Sequence, residues 1–412
     1  MLLSYMRDYH LPAVSRDAVN PQALDSQRTR EFASCVSYFQ DECMGFASLS
    51  QIVASMPPND IQHQKALNID SLSFKVKSFK LLRQRLAASV NDPTTHHAMV
   101  CLMSGAVYSH DFTTAKSHAV MLAQVLRTTS APTDTVLIFE ALWNDNQRAV
   151  MTLTRPCFDT DGWIANIFDP LYKSLLDSLP NTVGLQASAM GLDSCWDNFI
   201  SRDAIIDTRH TAALLHLCLL DHRHATLHVF EYLRYKACVC VNRILNGYVD
   251  SLRSFGTGFF QGWHENDDDC VRLSARVQAY ASLASIVWVR CVARIDDKYV
   301  CGGFSLWKAN NTLIARTRAI ITETEEMFSE TAQNKYARIK LWTLYIGAYV
   351  EQEQASKAGQ QDKASIQWFN DRLAKQAKAM RLVTWDAVRD VLLGFLYTDV
   401  LQPHGSTWFG CE

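Results

Sequence analysis

Apolar residues recur in this chain at every third or fourth position, segment after segment, and nowhere alternate with polar ones in a sustained run. Spacings of three and four lay side chains along one face of a 3.6-residue helix, whereas a strand needs a period of two. With 16 Gly and 10 Pro in 412 residues, the chain also lacks the turn-formers that many short strands would demand. The fold class that follows is all-α: a large array of packed antiparallel helix pairs with no substantial β-sheet.

Residues 1–62 read as an N-terminal segment, irregular and then helical, that ends at the break MPPND. Residues 63–412 are expected to form a single all-α domain. From Lys65 to Ser89, Leu72, Val76, Phe79, Leu82 and Leu86 share one helical face. Lys75, Lys77, Lys80, Arg83 and Arg85 ride on the same helix, as phosphate contacts or, more simply, as a solvated basic face. An antiparallel helix pair follows, with Asp92 placed to cap the first helix before Pro93 and Asp111 the second. Further helices are predicted up to Arg155-Pro156, at 163–180, 198–221, 224–248, 271–294, 312–329, 335–354, 363–379 and 384–401. Residues 253–270, mixing glycine, aromatic and acidic residues, read as a long loop. No regular repeat period is present.

A net charge near −2 leaves no sign of a nucleic-acid-binding polycation. The first residues lack an apolar core long enough for a signal peptide. The most apolar later run, LWTLYIGAYV, is about half a membrane span, so no transmembrane helix is expected. Twelve cysteines sit singly in helix-like stretches with no CxxC, which reads as reduced thiols in an intracellular protein.

Three stretches invite a chemical reading. HLCLLDHRHATLH, residues 216–228, sets His224 and His228 four apart, a zinc-compatible spacing on a helix. Ala225 stands where HExxH needs its glutamate, so the stretch is expected to be a structural helix-turn-helix rather than a metal site. GTGFFQG misses GxGxxG by one residue and follows a helix, not the strand a dinucleotide site needs. Asp267, Asp268 and Asp269 are similar to the aspartate-rich metal motif of terpene cyclases, but Val271 and Arg272 occupy the position of the next carboxylate. A flexible acidic loop is the plainer expectation. No nucleophile elbow, P-loop or kinase signature is present.

The last third carries a more specific signal. KLWTLYIGAYVEQ contributes Leu341, Trp342, Gly347 and Ala348; the run that follows contributes Trp368, Phe369, Thr384, Trp385, Val388, Leu392, Phe395, Leu396 and Tyr397. Their order resembles the end of the regulatory domain of fungal zinc-cluster transcription factors. SHDFTTAKSHAVMLAQVL, ALWNDNQRAVMTLTRPCF and DDCVRLSARVQAYASLASIVW resemble its earlier helices, so the likeness runs in patches over residues 65–410. Trp342, Trp368, Trp385 and Phe395 are expected as core anchors, with partner contact as the alternative.

The resemblance implies a non-catalytic transcriptional regulator with no catalytic, cofactor or metal residue, resident in the nucleus or otherwise the cytoplasm and not secreted. It would act through proteins of the transcription machinery, with any small-molecule effector left open. The family's six-cysteine DNA-binding cluster is absent, so the chain is not expected to contact DNA by itself. Either the sequence begins downstream of that cluster or the regulator has lost it. The competing expectation is an all-α metal-dependent enzyme whose magnesium binding would rest on Asp267, Asp268 and Asp269.

Overall fold

The computed structural model describes residues 36–56, 61–88, 92–128, 134–178, 193–196, 202–220, 226–256, 265–292, 304–358 and 367–399, with a few isolated positions besides. These residues contain fourteen α-helices and no strand, so the fold is all-α. In order they are α1 (Glu42–Ser55), α2 (Ile61–Ala87), α3 (Pro93–Tyr108), α4 (Phe112–Thr128), α5 (Thr135–Thr152), α6 (Trp163–Ser178) and α7 (Arg202–Leu220). Then come α8 (Leu227–Gly256), α9 (Glu265–Val292), α10 (Phe304–Met327), the single turn α11 (Glu330–Gln333), α12 (Ala337–Ala358), α13 (Trp368–Ala379) and α14 (Trp385–Leu392). None of the described helices is long and apolar enough to cross a membrane.

Contacts divide the chain into two compact units. The first holds α1 to α5 and most of α6; the second holds α7 to α9, most of α10, and α11 to α14. The break at MPPND falls inside the first unit, because α1 packs on both α2 and α3.

Each unit is organised around helices buried on every side. In α3 each residue from Ala98 to Val107 is buried, and in α9 each from Ala279 to Arg290. In α12 the buried run is Leu341 to Ala348. A helix apolar all round belongs at the centre of its layer. Small residues let the neighbours close in: a Cβ on Gly105 of α3 would lie 3.3 Å from the Gln51 Cα of α1.

The caps read from sequence are made. The Asp92 carboxylate accepts from the Thr95 N–H at 2.7 Å and Asp111 from the Thr114 N–H at 3.2 Å. Asp41, Asp134 and Thr384 cap α1, α5 and α14 in the same way.

Two expectations are corrected. The region 253–270 is not one long loop: α8 continues to Gly256 and α9 starts at Glu265, so the acidic triplet lies in the first turns of a helix. Carboxylates are favoured there by the partial positive charge of the helix N-terminus. The helix expected over 384–401 stops at Leu392. Beyond it the chain turns; the Asp193 N–H donates to the Gly394 carbonyl at 2.9 Å and the Arg209 guanidinium to the Phe395 carbonyl at 2.8 Å.

Candidate functional site

Most of the ligand-like side chains lie outside the described residues. Among the described residues no three His, Cys, Asp or Glu side chains are grouped as metal ligands. His228 is exposed beside Glu231 at 3.6 Å, while the side chains of His216, His222 and His224 lie outside the described residues. Asp269 is exposed and pairs with Arg272 at 3.4 Å; the side chains of Asp267 and Asp268 are likewise outside. Of GTGFFQG, only Gly256 falls within a described helix.

A run of buried polar residues in the first unit holds one fully buried ion pair. In α5, Asn144, Asp145, Asn146, Gln147 and Arg148 are all buried in sequence. Arg148 donates to Asp145 at 2.9 Å through Nε, with 0% of the aspartate and 1% of the arginine side chain exposed. The other Asp145 oxygen accepts from the N–H groups of Cys157 and Phe158, so the pair ties α5 to the loop after it. The Cys157 thiol is pushed up to about 11 by burial and the nearby aspartate, and burial pushes Cys240 up to about 11 as well. Thiols held protonated at neutral pH are poor nucleophiles.

In the second unit aromatic residues of the last third pack in two ring clusters. Trp342 stacks on Phe395 with centroids 5.7 Å apart, and its indole N–H donates to the Leu396 carbonyl at 3.0 Å. Trp196 meets both rings, and Tyr345 joins Trp385 to Tyr397. Trp342 and Phe395 are fully buried, as expected of anchors. Trp368 and Trp385 are only half-buried; Trp368 lies under the guanidinium groups of Arg372 and Arg318, at 4.3 and 5.1 Å. Gly347 is required by this packing, since a Cβ there would sit 2.1 Å from the Phe369 ring.

Glu351, buried on α12, turns its carboxylate to the start of α13 and accepts from the Phe369 N–H at 3.0 Å and the Asn370 N–H at 3.2 Å. Burial nonetheless pushes its pKa up to about 7, outweighing those bonds and Arg318. It stands in KLWTLYIGAYVEQ, but nothing local in the sequence marks it as buried against the start of another helix.

The feature that most resembles a working surface is α2, where the sequence misassigned the faces. The core-facing side carries Leu67 and Leu82 with two serines between them, Ser71 and Ser78. Ser71 Oγ donates to the Ser50 carbonyl and Ser50 Oγ to the Ser71 carbonyl, each at 3.1 Å. One heptad on, Ser78 Oγ donates to the Cys43 carbonyl at 3.1 Å and the Cys43 thiol returns to the Ser78 carbonyl at 3.7 Å. Small reciprocal pairs thus join α1 and α2 as an antiparallel couple.

Of the face nominated as apolar, only Leu82 is buried; Leu72 and Val76 are each 59% exposed, and Ile69 beside them is 67% exposed. These three point away from the core on the same side of the helix as Lys65, Lys80 and Arg83. Lys75 pairs with Asp111 at 3.1 Å and Arg85 with Asp41, so those two cations hold the fold together.

Comparison with protein-family models, with curated proteins and with solved structures finds no match for this chain.

Proposed function

We propose that the chain is a non-catalytic regulatory body of a transcription factor, of the kind it resembles in fungal zinc-cluster proteins, working through protein contacts rather than direct DNA contact. The supporting observation is the packing of the motif aromatics in the second unit. Motif residues distant in sequence meet in space, Trp342 on Phe395 and Trp385 on Tyr397, and Gly347 is fixed by the Phe369 ring that closes on it. A motif whose members depend on one another in space is more specific than the same residues apart. Nuclear residence comes with this reading.

The test is to tether the full chain to a heterologous DNA-binding module upstream of a reporter and, in parallel, to compare transcripts with and without the gene. A several-fold change in the reporter, with altered transcripts of a defined set of genes, is expected. An unchanged reporter together with an unchanged transcript profile overturns the reading.

A further inference from the structure

The outward face of α2 is built like half of a helix-helix interface. Ile69, Leu72 and Val76 are spaced three and four apart, the seam of a helix that pairs with another. Phe79 continues the seam at half-burial, its ring stacked on His118 with centroids 5.2 Å apart. From Ile69 to Phe79 the stripe is about 15 Å long, three turns of helix. Single exposed apolar side chains need no explanation, but three on one stripe of one helix form a patch.

The charge around the stripe says what covers it. The helix carries Lys65, Lys75, Lys77, Lys80, Arg83 and Arg85 against a single acid, Asp70. With Lys75 and Arg85 engaged, Lys65 stands one turn before Ile69, while Lys80 and Arg83 follow Val76 by one and two turns. All three are exposed. A second copy laid along this face would set cation against cation, which disfavours self-pairing. Phosphate binding would use the cations and leave the stripe in water. A helix with apolar residues at three- and four-residue spacing and carboxylates on its flanks satisfies both features.

We infer that the outward face of α2 is a docking site for an acidic amphipathic helix of a partner protein. The inference rests on the reading of the chain as a protein-binding regulator and names the chemistry of what it binds. The contact has a steered, salt-sensitive component from Lys65, Lys80 and Arg83 and an apolar component from Ile69, Leu72 and Val76.

The experiment uses the full chain and a fluorescent synthetic peptide with leucine at every third or fourth position and glutamate between. A scrambled peptide of the same composition, without the periodicity, is the control. Saturable binding of the periodic peptide, weakened by salt, is expected. Leu72→Gln with Val76→Gln should weaken it about tenfold or more, and Lys80→Glu with Arg83→Glu likewise. All four positions are exposed, so unchanged thermal unfolding of both variants serves as the folding control.

Equal binding of the scrambled peptide, no binding of either, or binding untouched by both variants overturns the inference. So does a dimer in sedimentation that Leu72→Gln with Val76→Gln dissolves. Recovery of the chain on vesicles containing phosphatidylserine, with the same dependence on these residues and no peptide binding, overturns it in favour of a membrane surface. The tethered reporter separates the two claims. Peptide binding with an inert reporter removes the transcriptional reading and keeps the surface; an active reporter without peptide binding does the reverse.

Discussion

Glu351 makes a prediction whose sign depends on which force wins at the start of α13. Backbone N–H groups at a helix N-terminus favour the ionised carboxylate, while burial favours the neutral acid. With burial dominant, the carboxyl is raised from 4.5 to about 7 in the folded chain. The native state then holds a proton that the unfolded chain has released, so folding stability falls as pH rises through this window. At ~1.4 kcal/mol per pH unit, the loss between 4.5 and about 7 is roughly 3 kcal/mol.

Glu351→Gln keeps one acceptor oxygen for Phe369 or Asn370 and carries no charge at any pH. It should cost about 1 kcal/mol at the acid end, for the weakened cap. It should then overtake the wild type as pH approaches neutrality. Hydrogen exchange of the α12 and α13 amides reads this locally, which matters because a chain of two units need not unfold in one step. Wild-type protection should fall across the window and that of the variant should stay level. Equal slopes for the two proteins, or wild-type protection that rises with pH, would refute the reasoning.

Four further outcomes follow from the packing. Gly347→Ala forces a methyl into the space of the Phe369 ring and should destabilise the second unit by about 1–3 kcal/mol in thermal unfolding; an unchanged midpoint would contradict the ring's placement. Ser71→Ala and Ser78→Ala should each cost about 1 kcal/mol and, standing two turns apart, add nearly independently, whereas Ser78→Leu should cost clearly more than Ser78→Ala; a stabilising leucine would mean that α1 and α2 do not approach so closely. Asp145→Asn removes the buried carboxylate that Arg148 donates to and should cost about 3–5 kcal/mol by denaturant titration, with a loss below ~1 kcal/mol counting against the buried pair. His118 is held neutral by burial, its pKa lowered to about 4 and neither ring nitrogen bonded, so stability is lost as pH falls from 6.5 towards 4; His118→Phe should keep the stack on Phe79 and remove that acid sensitivity, and persistence of the sensitivity would clear His118 of it.

Much of the fold could be read from the sequence because its signals are local. Asp92 before Pro93 and Asp111 after a short loop announce their helices by capping chemistry that needs no distant partner. The facing of α2 was not legible, since a hydrophobic period marks the wrong side when serines share the buried side with only two leucines. The same blindness hid the buried polar run of α5, where Asn144 to Arg148 resemble a solvated stripe until Asp145 is seen to bind the next loop. Trp368 was expected in the core as an aromatic anchor, yet it is half-buried beneath two arginines that sequence distance separates from each other by many turns. For the candidate surface, Leu72, Val76 and the basic residues stand out in the sequence, but only the fold separates Lys75 and Arg85, which hold it together, from Lys80 and Arg83, which face water.

The reciprocal serine pairs have a consequence for how this helix can change over generations. Positions 71 and 78 are held to small side chains if, as predicted above, a larger one pries α1 from α2. Positions 69, 72 and 76 face no such demand from folding, and random replacement there would soon favour lysine, glutamine and glutamate over isoleucine, leucine and valine. Kinship among relatives would therefore keep the inner alphabet narrow whatever the protein did. An outer alphabet held equally narrow would record a second selection, one exercised by whatever the helix touches rather than by the fold that carries it.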